Sequence, residues 1–367
     1  MKISRRTLLA FAAAAGCGQR GSGYQGYALV PAAGSKSVAV IDLRAFARKG
    51  SIPVPFEPTG LAVDPDPAAR SAFAVMAGSA CIAEVSPKSP GVLRRITLPA
   101  KPRAVRVSGS RLYWIAEDRN WLGIIDLKEW KNQQPVQLAS RAVDLDVSLR
   151  APLAAVTLDT GAIQMVAADT RRAEPPIEIG EGLGSIRFRS DGACLIVAQP
   201  EARALTFVDT ASRALMVRLN LALKPQRLRM KSDGGQLFIT GEGTDGVSIV
   251  YPYRTEVAQT FLSGRHPGEM ADSSAPDYLF VANPGAGSVT VFSIENQRVV
   301  AVTGVGERPG PIVVTPDQQY ALVLNMGSGD LAVIRIAAIA PGREKRAPLF
   351  TMIPVGASPC GIAVLEA

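Results

Sequence analysis

Six polar or charged residues stand directly before prolines that open apolar strand segments: Glu57, Lys101, Lys224, His266, Arg308 and Ser358. Ser140 and Gly182 occupy related positions without the proline. Arg103, Arg227, Arg265, Glu181, Glu269 and Glu307 lie within a few residues of the set. If folding gathers these positions, the result is a ring with several cations and fewer carboxylates. Guanidinium and ammonium groups are charge-assisted donors, so such a ring suits an anionic ligand. The plainer alternative is a set of solvated loops whose charge has no ligand to explain.

His266 is the only histidine. Beside Glu269 it has the chemistry of a general base, with Arg308 as an anion clamp; the alternative is a surface-loop histidine. A single histidine argues against bis-histidine haem, copper clusters, His-rich zinc sites and a Ser-His-Asp triad anchored elsewhere. Cys81, Cys194 and Cys360 are widely spaced and odd in number once Cys17 is set apart, which fits small buried residues better than a disulfide or thiolate-metal framework. No cofactor is predicted. Calcium held by carboxylates such as Glu57, Glu181 and Glu269 stays open, although no spaced acidic loop supports it. Thr240–Gly246 is glycine-rich, but it lacks the spacing and helix context of a nucleotide loop.

The N-terminus carries targeting chemistry. Lys2, Arg5 and Arg6 precede the short apolar run Leu8–Ala15, which is too short to span a membrane and reads as a signal peptide over 1–16. Ala14-Ala-Gly-Cys17 resembles the bacterial lipobox, which implies cleavage before Cys17 and lipidation of that cysteine. Ser4–Leu9 is similar to a twin-arginine signal but departs at Leu8 and Ala10, so a Sec signal with adjacent arginines fits equally. Gly18 after the cysteine favours the outer membrane under the enterobacterial sorting rule. The expectation is an exported protein, anchored in the bacterial envelope and facing the periplasm. Formal charge is +8; without Lys2, Arg5 and Arg6 the balance is 37 basic against 32 acidic residues, +5. The surplus is spread out, without basic runs interleaved with aromatics, and nucleic acid is not an expected partner.

The elements that must position these residues come from a repeat. Short apolar runs begin at Tyr27, Ser71, Arg111, Pro152, Cys194, Gln236, Tyr278 and Tyr320, at spacings of 44, 40, 41, 42, 42, 42 and 42 residues. In the seventh repeat, runs of four to six β-prone residues are separated by Asn283–Gly287, Glu295–Gln297 and a loop reaching Pro309. Four strands joined by hairpins at a period near forty predict one β-propeller blade per repeat. The expected domains are a signal peptide over 1–16, a lipidated cysteine and linker over 17–26, and one propeller over 27–367.

Individual repeats carry Ser190-Asp-Gly192, Ser232-Asp-Gly234, Thr315-Pro-Asp317, Val281-Ala-Asn283, Val323-Leu-Asn325, Val38–Asp42 and Leu122–Asp126. These segments resemble the YVTN-type repeat of lactonase-like and surface-layer propellers, over essentially Tyr27 to Ala367, with repeats two to four the most degenerate. The resemblance implies an all-β, eight-bladed propeller, with seven blades as the alternative. It also implies 3+1 closure: Cys360–Val364 supplies the inner strand beside Tyr27–Val30. The loop before each inner strand then opens onto the central channel, placing Glu57, Lys101, Arg103, Lys224, Arg227, Arg265, His266 and Arg308 at its mouth.

Propellers host unrelated activities, so function is argued from the site. The leading expectation is a lipid-anchored scaffold that binds an envelope protein or a small anionic ligand through the channel mouth. The alternative is a lactonase-like hydrolase acting on an anionic lactone or sugar acid, with Glu269, His266 and Arg308 as base, relay and clamp. An electron-transfer or quinone-linked role lacks visible cofactor ligands. Trp114, Trp121 and Trp130 fall in or beside the third repeat and are expected to pack between blades, exposure as a partner-binding patch being the alternative.

Overall fold

Each of the eight apolar runs becomes the second strand of an antiparallel four-strand sheet in the computed structural model, which describes residues 23–63, 70–339 and 347–367. The signal peptide, Cys17, Gly18 and most of the charged 340–347 loop lie outside the described residues. Among the described residues no helix is long and apolar enough to cross a membrane. Eight sheets are present, so the ring has eight blades rather than seven.

The second and third strands are buried along most of their length, and Tyr320–Asn325, Cys194–Gln199 and Ser288–Ser293 show no exposed position. The alternation in Ser288–Ser293 therefore does not separate an inner from an outer face. Each blade is sandwiched between two others, and both of its faces are core. Some polar residues there are satisfied internally. Asn283, at the end of its second strand, accepts from Gly264 N (3.0 Å) and donates to Thr290 Oγ1 (2.9 Å). The core is accordingly divided into interblade layers, such as the one joining Leu322 and Val333 of blade 8 to Ala28 and Ile41 of blade 1.

Outer strands are where the degenerate repeats show. In blades 3 and 4 the fourth strand is broken into two short pieces, Lys131–Asn132 with Val136–Gln137, and Arg172–Ala173 with Ile177–Glu178. Pro135 in one break and Pro175-Pro176 in the other cannot donate to the ladder. The tryptophans pack at the junction of blades 2 and 3. Trp114 is wholly buried, and Trp130 stacks on Phe73 while Arg94 lies 4.4 Å from its ring centroid. Gly123 is required there, since a Cβ at that position would collide with the Trp114 ring.

The ring closes as 3+1. Gly26–Ala32 pairs with Ala363–Glu366, in the register Tyr27↔Leu365 and Leu29↔Ala363. The closing strand starts three residues later than the expected Cys360. Cys360 instead lies just outside it, its N–H donating to Pro31 O at 2.9 Å. The seam pairs what would otherwise be the free edge of Gly26–Ala32, a usual defence against edge-to-edge association.

Candidate functional site

The eight inner strands line the central channel, and their side chains divide it into two arcs. Blades 3 to 7 contribute Pro102–Ser108, Ala142–Val147, Ile186–Phe188, Lys224–Met230 and Met270–Ser274. These strands carry Arg106, Asp144, Asp146, Arg187, Arg227, Arg229 and Asp272, with Glu269 just ahead of the last strand. Blades 8, 1 and 2 contribute Pro309–Val314, Ala363–Glu366 and Gly60–Val63, which hold no charge except Glu366. Residues two apart on a strand share a face, so Asp144 and Asp146, and likewise Arg227 and Arg229, project together.

Two cavities occupy the channel. The first, about 760 Å³, opens at the start of the inner strands and is lined by Arg106, Asp144, Arg187, Arg227, Arg229 and Glu269, among others. The second, about 720 Å³, lies toward their ends and brings Asp146, Leu61, Ala62 and Val63 to the same space. Arg106, Arg187, Arg229 and Met230 line both, forming a waist.

The charges at the waist are paired unevenly. Asp144 is shared by two guanidiniums: Arg187 Nη1 lies 3.1 Å from Oδ2 and Arg106 Nη2 lies 3.6 Å from Oδ1. Asp144 Oδ2 also accepts from Ile186 N at 3.3 Å. Asp146 accepts from Phe188 N at 2.7 Å. Asp272, with no exposed side-chain surface, accepts Arg229 Nε and Nη2 at 3.2 and 3.1 Å and Ser232 N at 2.8 Å. Arg227 Nε meets Glu269 Oε1 at 2.8 Å. Asp144 and Asp146 thus also accept a backbone N–H from the inner strand of the adjacent blade, and Asp272 one from the turn just after it, so the charged belt is itself an interblade clasp.

Enclosure by protein pushes the Asp146 carboxyl above the usual range, with Arg187 and Arg106 opposing that rise. For Arg106, burial and then the like charge of Arg187 pull the guanidinium below its ordinary value, and Asp144 and Asp146 only partly restore it. Burial also works against the charged form of Arg187, but Asp146 and Asp144 outweigh it and the net shift is upward. Two guanidiniums converge on one carboxylate with a second carboxyl beside them, and their remaining N–H donors face the channel. An anion is the species that would complete such a set.

The loop residues expected at the mouth are placed more loosely. Glu57 is exposed, 4.0 Å from Lys36, and Lys101 is exposed. Arg103 Nε donates to Val143 O at 3.0 Å, across to blade 4, and Lys224 Nζ donates to Glu201 Oε2 at 2.6 Å. Arg265 and Arg308 are exposed. His266 is exposed too, its backbone N–H donating to Asp245 Oδ1 at 2.9 Å; it lines a separate cavity of about 540 Å³ with Glu242 and Asp245. Among the three hydrolase candidates, Glu269 faces the mouth cavity, His266 faces that other cavity, and Arg308 lines neither. Among the described residues no group of three His, Cys, Asp or Glu side chains is placed to hold a metal ion.

Arg106, Asp144, Asp146, Arg187, Arg229 and Asp272 went unnoticed in the sequence, although a signal existed. Asp144-Leu-Asp146 and Arg227-Leu-Arg229 put charges at alternate positions of strands that the repeat assigns to the channel wall, where a YVTN-type strand has Ile-Ala-Val.

No protein-family model matches the sequence, and no curated protein matches it. Among solved structures the chain is similar to dihydro-heme d1 dehydrogenase NirN in complex with DHE, with a TM-score of 0.78 and 13% identity over 92% of this chain and 75% of that one. It is similar to apo AztD from Citrobacter koseri, with a TM-score of 0.70 and 13% identity over 93% and 98%. It is also similar to Kuenenia stuttgartiensis hydrazine synthase, with a TM-score of 0.54 and 17% identity over 82% and 90%. At these identities the likeness is one of fold, and the chain is an eight-bladed β-propeller.

Proposed function

We propose that this protein is an exported, lipid-anchored propeller that binds a small anionic ligand in its central channel and acts as a binder rather than a catalyst. One observation carries the reading: Arg106 and Arg187 converge on the single carboxylate Asp144 at the waist, lining a cavity of about 760 Å³. A cavity of that size is in the range of small-molecule sites. The belt's carboxylates are already engaged, Glu269 by Arg227, Asp272 by Arg229, Asp144 by two arginines and Asp146 by a backbone N–H. That arrangement favours holding an anion over abstracting a proton. Anchoring through Cys17 to the envelope, facing the periplasm, rests on the lipobox resemblance.

Calorimetric titration with small anions, run beside a panel of lactones assayed for turnover, tests the reading. Saturable anion binding that weakens in Arg187→Gln, without lactone turnover, is the expected result. Turnover that disappears in His266→Ala would replace the binder with a hydrolase. Cys17→Ser should move the protein from the membrane fraction to the soluble periplasmic fraction.

A further inference from the structure

Resting on the reading that the channel binds an anion, we infer that its ligand is a small amphiphile with one carboxylate head, held head-first at the waist with its apolar part along blade 2. The far cavity is where two unlike walls meet. On one side stand Arg106 and Arg187, which share Asp144 as ion-pair partner, with Asp146 in the same lining. On the other lies the uncharged inner strand Gly60–Val63, whose Leu61, Ala62 and Val63 are half-buried and line the same cavity of about 720 Å³. Val105 and Val107, on either side of Arg106, extend this apolar lining toward blade 3.

A fully hydrophilic anion would satisfy the guanidiniums but leave the apolar arc against water. A neutral lipid would cover that arc and leave the guanidinium N–H groups that Asp144 does not use without an acceptor. One molecule satisfies both walls only if its charge and its hydrocarbon are separated along its length. The guanidinium fork matches a carboxylate through paired N–H donors, and the apolar arc gains affinity with each methylene removed from water.

The test titrates the full chain carrying Cys17→Ser, so that neither the acyl anchor nor detergent competes, with octanoate, acetate and octanol by calorimetry. Octanoate is expected to bind at least 100-fold more tightly than acetate, a conservative share of six methylenes each contributing about fourfold. Octanol is expected to bind at least 10-fold more weakly than octanoate. Leu61→Ser should weaken octanoate about 5-fold while leaving acetate unchanged, and Arg106→Gln should weaken both about 10-fold. If Arg106→Gln fails to fold, as judged by its thermal transition, Leu61→Ser still decides the matter. Equal affinities for octanoate and acetate would overturn the amphiphile and leave the anion-binding reading standing. Octanol matching octanoate, or no binding of either acid, would overturn both.

Discussion

Replacing Asp272 probes the charged belt where it can be measured as stability. Its carboxylate is sealed from solvent and accepts three hydrogen bonds, two from Arg229 and one from Ser232 N, which tie blade 7 to blade 6. In Asp272→Ala the Ser232 N–H loses its acceptor; Ser232 is exposed, so water takes up part of the bond and the cost is near the low end of about 1–3 kcal/mol. Arg229 loses its partner as well. Its side chain is 48% exposed, so water replaces part of the pairing, and the 3–5 kcal/mol typical of breaking a fully buried pair is an upper limit of about that size. About 3 kcal/mol in total is expected. With an unfolding entropy near 2.1 cal/mol/K per residue, a ring of roughly 340 residues loses about 4 °C in Tm. Asp272→Asn keeps one acceptor for Ser232 N and should lose about half as much. Differential scanning calorimetry at neutral pH and constant salt measures both. A Tm within 1 °C of wild type for the alanine variant, or equal losses for Asn and Ala, would refute the idea that Asp272 clasps the blades.

Three further outcomes follow from particular residues. Because enclosure raises the folded-state pKa of Asp146, the native state holds its proton more tightly than the unfolded chain; the corresponding stability is present below the unfolded value of about 3.9 and is lost as pH rises through the raised one. Asp146→Asn should therefore match wild type in acid and gain relative stability as pH rises through that window, seen in urea midpoints at a series of pH values; a difference independent of pH would contradict this. Leu365, 1% exposed on the closing strand opposite Tyr27, should cost about 3 kcal/mol as Leu365→Ala, whereas Val299→Ala on an exposed outer strand should change stability by less than about 0.5 kcal/mol. Burial pushes the thiols of Cys194 and Cys360 up to about 11 and raises that of Cys81; in a Cys17→Ser background a thiol reagent at pH 8 should label the folded chain slowly and all three on unfolding.

Much of the architecture was visible in the chain because it rests on local chemistry that repeats. Apolar runs bounded by Ser-Asp-Gly, Thr-Pro-Asp and Val-Ala-Asn turns form strands wherever they occur, and their period fixes the blades. The order of strands at the two ends then predicts the seam, which the structure displaces by three residues because Cys360 pairs with Pro31 through a loop contact before the ladder begins. The site was less legible. The prolines drew attention to the loop residues Glu57, Lys101, His266 and Arg308, which are exposed and face different neighbours. The convergent groups lie one to several residues further on, inside the strands. Arg106, Asp144 and Arg187 are separated by about one repeat each, so their meeting depends on how the ring brings adjacent inner strands together. No short-range pattern encodes that. The apolar arc of blades 8, 1 and 2 was equally hidden, since Gly60–Val63 is an unremarkable strand until it faces two arginines.

The central claim is that this channel holds an anion at its waist, and a crystal structure of the Cys17→Ser chain grown with 8-bromooctanoate tests it most directly. The account predicts the carboxylate within hydrogen-bond distance of Arg106 and Arg187, and the bromine's anomalous signal beside Leu61–Val63. Bromine density on an outer blade surface, with the waist occupied only by water, would contradict it.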